Sequence, residues 1–155
     1  MQNSKPQLKT KNFLGFTLIE LLTVISIIGV LALIGIPAFR AYQPSLELSG
    51  AVRKLVGDLR YAEQLAVTEQ VNHGISFSSS TNQYQMISYG AVEETLASTT
   101  LPEKVSFYQI AGFTNDQVIF NLYGAVKEAG SITLITKDAT TTIEIRPSGF
   151  VKIIK

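Results

Sequence analysis

The chain has no cysteine and a single histidine, His73. Without thiols there is no disulfide, no thiolate metal centre and no cysteine nucleophile. A Ser-His-Asp site would have to use His73, and no G-x-S-x-G nucleophile turn accompanies it. His73 falls at a predicted helix end, where capping or exposure to solvent is its expected role. The acids Glu93, Glu94, Asp116 and Asp138 stand apart, without the alternating oxygen-ligand spacing of a calcium loop, and no glycine-rich phosphate loop is present. The sequence therefore predicts neither an enzyme nor a resident metal or cofactor. Charge is sparse as well, at 16% of residues, and residues 21–39 contain none.

What remains is an apolar chain with a polar start. A length of 155 residues with 46% hydrophobic content suits one domain plus one membrane segment. The formal charge is +1, yet Lys5, Lys9 and Lys11 precede Gly15 while all 12 acids follow it. The positive balance thus belongs to the start of the chain and is no signature of nucleic-acid binding. Residues 16–39 are almost wholly apolar, with Glu20 as the only charge, and Arg40 closes the run. As a helix, residues 21–39 would span roughly 28 Å, the thickness of a bilayer's hydrocarbon core. Basic residues before the run and a larger polar region after it predict a single pass through the cytoplasmic (inner) membrane, with the C-terminal part outside. A secretory signal peptide would need a small-x-small cleavage pattern, which Pro37, Ala38, Phe39 and Arg40 do not supply. Glu20 has two readings. It either rests at headgroup depth or has a partner, since an acid in an apolar helix costs a few kcal/mol.

The stretch Lys11, Asn12, Phe13, Leu14, Gly15, Phe16, Thr17, Leu18, Ile19, Glu20, Leu21, Leu22 resembles the type III signal of type IV pilins and pseudopilins. The resemblance implies cleavage by a prepilin peptidase between Gly15 and Phe16 and N-methylation of Phe16. It also implies that Glu20 pairs with the N-terminal amine of a neighbouring subunit during assembly. Charge physics agrees, because a buried cation and a buried anion are each strongly disfavoured alone. Gly15, having no side chain, lets a peptidase approach the backbone. The expected organisation is a leader at 1–15, a membrane and assembly helix at 16–40, and a globular domain at 41–155. Pro37 either kinks the helix, loosened further by Gly29 and Gly35, or marks the membrane exit.

After Pro44, Leu48, Val52, Leu55, Leu59, Ala62 and Ala66 form one apolar stripe at helical spacing. Arg53, Lys54, Asp58, Arg60, Glu63 and Glu69 occupy the other side and predict a solvated face. The helix is expected to stop at residues 72–74. Beyond it, strands are predicted at 75–77, 84–89, 105–110, 118–121, 131–136, 140–146 and 150–154, with turns at 78–82, 137–139 and 147–149. Residues 93–100 read as a polar loop, and Gly124 as a turn residue at positive φ. The fold class is α+β, a long N-terminal helix on a mostly antiparallel β head.

Leu55 to Ala66, then Leu101, Pro102, Phe120, Asn121, Leu122, Tyr123, Gly124 and Gly149, look like the H-type minor pseudopilins and their FimT-like pilin relatives. That resemblance implies a structural subunit of a type II secretion pseudopilus or a type IV pilus, partnered by other pilins or pseudopilins and extracted from the membrane into a filament. The alternative is a DNA-binding minor pilin acting in DNA uptake. FimT-like receptors carry a Gly-Arg-x-Arg motif, whereas here Gly149, Phe150, Val151 and Lys152 stand in its place. Arg146, Lys152 and Lys155 are the candidate phosphate contacts, set against the reading of scattered cations on a strand edge. Nucleic acid is accordingly not the expected partner.

Overall fold

The computed structural model describes residues 15–154; Lys5, Lys9 and Lys11, and the C-terminal Lys155, lie outside the described residues. Among these residues one α-helix, α1 (Leu18–Glu69), is followed by eight strands, with one short 3₁₀ turn (Thr114–Asp116) between them. The chain divides into two compact units, one ending at Phe39 and the other starting at Arg40. In the first unit α1 is apolar on every face, and its large side chains are exposed. Such a helix has no partner within its own unit. Pro37 and Pro44 both lie inside α1, which continues through them. The expected long helix, with an apolar half followed by an amphipathic half, is thus a single uninterrupted element. A proline removes one intrahelical bond, and long runs of good helix formers on either side sustain the rest.

In the second unit the predicted stripe is the core. Leu48, Val52, Leu55, Leu59, Ala62 and Ala66 are all buried, joined by Ala51 and Val56. The opposite face is less uniformly solvated than expected. Asp58 is half-buried because the Tyr84 hydroxyl donates a 2.6 Å hydrogen bond to its Oδ2, with Lys54 Nζ 3.5 Å away. The helix ends at Glu69, where Gln70 takes a left-handed φ of 55°. That is earlier than the stop expected at residues 72–74, which instead open β1 (Asn72–Ser78). Asn72 and Gly74 were read as helix terminators; Gly74 is in fact a close-approach residue, since a Cβ there would collide with the Val118 carbonyl oxygen.

The strands form two antiparallel four-stranded sheets. The first has the order β3 (Glu93–Thr100), β2 (Gln83–Tyr89), β1, β5 (Gln117–Phe120). The second runs β4 (Ser106–Ala111), β6 (Gly130–Ile135), β7 (Thr140–Ile145), β8 (Val151–Ile154). Ile75, Val118 and Phe120 from the first sheet and Ile132, Leu134, Ile143 and Ile145 from the second are buried with the α1 stripe. Seven strands were expected close to these places. The eighth, β3, corrects the reading of residues 93–100 as a loop. It pairs with β2 from Tyr89↔Glu93 to Gln83↔Thr100, with an irregularity between Met86 and Ile87. Nearly all of its residues are exposed, so backbone pairing at a sheet edge defines it and burial leaves no alternating pattern to read.

Two glycine turns meet over the helix. Gly124 (φ 80°) has the expected positive φ, and Gly149 has one of 83°. Val126 N donates to Pro147 O at 3.2 Å, linking the two turns. A Cβ on Gly149 would strike the Gly124 carbonyl oxygen and come within 3.2 Å of Glu63 Oε1. Glu63 thus lies partly desolvated beneath both turns. Burial pushes its carboxyl above the usual carboxylate range, against a smaller opposing pull from Arg60. A folded-state value raised above the unfolded one means that stability is fully present below the unfolded value and is lost as pH rises through the folded one. Glu63→Gln, which keeps the shape without the charge, is therefore expected to raise the unfolding temperature more at pH 7 than at pH 4. Thermal unfolding of the detergent-solubilised chain at the two pH values measures this, and a gain that is equal or larger at pH 4 would contradict it.

Candidate functional site

The chain enters α1 through a short non-helical segment, Gly15, Phe16 and Thr17, in which Phe16 is 88% exposed. The first turn of any helix leaves backbone N–H groups without intrahelical acceptors. Here Thr17 and Glu20 satisfy them reciprocally. The Glu20 amide donates to Thr17 Oγ1 at 3.2 Å, while the Thr17 amide donates to Glu20 Oε2 at 3.2 Å. The Thr17 hydroxyl donates to the same Oε2 at 3.1 Å, and Thr17 O accepts from the Leu21 amide. This is a capping box, with Thr17 at the N-cap and Glu20 three residues on. The negative carboxylate consequently rests at the positive end of the helix dipole. One oxygen, Oε2, serves the cap, and Oε1 has no hydrogen-bond donor among the described residues.

Among the residues singled out from sequence, Gly15, Phe16 and Glu20 come together within one turn of the helix start. Thr17 was missed, although T-x-x-E ahead of an apolar run is a legible capping signal. Pro37 lies about four and a half turns further along, lining an apolar groove of about 240 Å³ with Gly29, Ala32, Leu33 and Ile36. A Cβ at Gly15, Gly29 or Gly35 would meet no other atom within 4 Å.

The head residues do not gather in the same way. Arg146 Nε is 3.5 Å from Glu144 Oε1, and its guanidinium lies 5.8 Å from the centre of the Phe150 ring. Lys152 stands opposite Glu144 in the β7–β8 register. The two cations therefore flank one carboxylate, and the third candidate, Lys155, is outside the described residues. His73 is fully buried in β1, which corrects the expected capping or exposed role. Its Nδ1 is 2.8 Å from Val71 O, and Nε2 lies 3.1 Å from Glu69 Oε2 but off the line of a hydrogen bond. A histidine opening a strand under the core is invisible to a helix-end reading. Among the described residues no three His, Asp or Glu side chains cluster as a metal site would require.

Two family models match the chain. The prokaryotic N-terminal methylation motif matches residues 10–36, and the type II transport protein GspH matches residues 51–149. No curated protein sequence matches. Among solved structures, the minor pseudopilin EpsH from the Type 2 Secretion System of Vibrio cholerae superposes with a TM-score of 0.61 at 14% identity, over 70% of this chain and 96% of that one. The type IV minor pilin FimU of Pseudomonas aeruginosa gives a TM-score of 0.60 at 13% identity, over 74% of this chain and 92% of that one. At such identities the likeness establishes the fold: one long N-terminal helix on antiparallel sheets, as in pseudopilins.

The cap makes a specific expectation for Thr17. Thr17→Val keeps the shape but removes the hydroxyl, and loss of an N-cap costs about 1 kcal/mol. In the detergent-solubilised chain the Glu20 amide should then exchange with solvent about five times faster, while Thr17→Ser should restore the slow rate. Identical exchange in wild type and Thr17→Val would show that the cap contributes nothing.

Proposed function

Since this chain belongs to the GspH family, we propose that it is a minor pilin-like subunit, inserted in the cytoplasmic membrane, processed by a prepilin peptidase and assembled with other pilins or pseudopilins into a filament. The observation that carries this reading is the arrangement at the start of α1. Cleavage between Gly15 and Phe16 would leave a new ammonium on Phe16, four residues from Glu20, at the mouth of an apolar helix. Methylation of that amine retains its positive charge. The cap holds the carboxylate in place through Oε2 and leaves Oε1 for a cation from a neighbouring subunit. Exposure of residues 18–39 on all sides supports the same reading, because packing among like helices would cover them once the subunit leaves the lipid. Gly29 and Ala32, beside Pro37, leave an apolar groove on the helix, of the small-residue kind at which helices approach closely in membranes. Pro37 removes one backbone bond there and gives the helix a place to bend as it packs.

Glu20→Ala separates assembly from anchoring. The variant is expected to insert and to be shortened like the wild type, since neither step needs the carboxylate. Its recovery in sheared filaments should fall by about a hundredfold or more, because a buried charge without its partner costs on the order of 3 to 5 kcal/mol. Immunoblots of membrane and filament fractions, with the cognate pilins present, measure both. Equal recovery of variant and wild type in filaments would refute the pairing.

A further inference from the structure

β3, at eight residues, is the longest strand of the head, and it lies at an edge of the first sheet. The opposite edge of that sheet is already engaged. Phe120 of β5 bridges to Val126, and the Lys127 amide donates to Ile119 O at 3.1 Å. The outer side of β3 has no such partner among the described residues. β3 also contains no lysine, arginine or proline, the residues that commonly blunt an exposed edge. A long edge left in this state invites pairing with another strand.

A groove of about 380 Å³ runs beside this edge, between Tyr61 and Leu65 of α1 and Met86 and Leu96 of the sheet. Thr95 pairs with Ile87 and Ala97 with Met86, which leaves Leu96 as an extra residue in β3. Neighbouring strand residues ordinarily point to opposite faces, yet Leu96 and Ala97 both line the groove. Charge is distributed unevenly along it. At one end Lys54 is committed, 3.5 Å from Asp58 Oδ2 and bonded to Thr99 Oγ1 at 2.9 Å. At the other end stand three acids. Ser88 pairs with both Glu94 and His73, and His73 Nε2 is 3.1 Å from Glu69 Oε2, so Glu69, Glu93 and Glu94 share this end. All three are exposed, and none has a Lys or Arg within ion-pair distance among the described residues.

We propose that β3 receives an extended segment of a different pilin-like subunit, which adds a strand to the first sheet, sets an aliphatic side chain between Leu65 and Leu96, and lays a Lys or Arg against Glu93 or Glu94. Main-chain hydrogen bonds hold such a segment, while the groove and the acids select it. The inference rests on the filament reading above and adds the surface and the chemistry of its occupant. A minor subunit stands among other pilins, so the segment belongs to one of those and not to a second copy of this chain.

Photo-cross-linking at the edge tests this. Full-length chains with p-benzoylphenylalanine in place of Ser98, and a second set with it in place of Thr95, are produced beside the cognate pilins, irradiated, and blotted in membrane and sheared-filament fractions. Both positions are exposed. The expected product is an adduct from both positions whose partner, read by peptide mass spectrometry, is another pilin-like subunit joined through a head segment that holds Lys or Arg among aliphatic residues. Glu93→Lys with Glu94→Lys, compared at equal chain levels, should cut the adduct about fivefold, and Glu93→Gln with Glu94→Gln should cut it less. The contact is overturned if filaments contain the chain but yield no adduct, if the adduct is with a second copy or through an acidic or helical segment, or if charge reversal leaves it unchanged. A chain that never enters the filament fraction refutes the filament reading, and the contact with it.

Discussion

A helix that is apolar on every face needs something other than water around it, and residues 18–39 of α1 find no such cover within their own unit. That constraint fixes the nature of the whole molecule. The first half of α1 is long and apolar enough to cross a membrane. The second half is striped, and its apolar side is buried under two sheets. Burial of a leucine such as Leu55 or Leu59, both fully covered, contributes roughly 1.5 to 3 kcal/mol. One helix thus joins two surroundings, and the change from all-round to one-sided apolarity falls close to Arg40, where the two units divide.

Glu20 is the exception that gives the apolar half a purpose. An acid at this depth costs free energy unless it is bonded, and Thr17 supplies two of the bonds from within the chain. This arrangement holds the carboxylate at the helix start. In the pairing proposed for Glu20, a carboxylate already held in place would need less ordering when an amine joins it. In the head a similar bonding pattern holds Glu128, whose carboxylate accepts from the amide and the hydroxyl of Thr114. Other ionic groups of the head are tied in pairs, such as Lys54 with Asp58 and Arg146 with Glu144.

Much of this could be read from residue order. The apolar run, the lone Glu20, the stripe from Leu48 to Ala66 and seven strands all follow from periodicity and charge, because burial imposes those patterns directly. The readings that failed share a cause. β3 has no buried face, so its existence depends on main-chain pairing with β2, which side-chain patterns do not encode. Asn72, His73 and Gly74 have helix-ending chemistry, yet Gln70 ends the helix first and the three become strand because β2 and β5 pair with them. Thr17 was legible as a capping residue but was overshadowed by its neighbours. Asp58 looked solvated until Tyr84, 26 residues away in sequence, supplied a hydroxyl.

The claim that bears most weight is that the chain is cut at the Gly15–Phe16 junction to free an amine for Glu20. Intact-mass analysis of the full chain, recovered from cells that contain an active prepilin peptidase, measures it directly. The account predicts a single species with the mass of residues 16–155 plus one methyl group. A species that retains residues 1–15, or one cut at any other position, would contradict it.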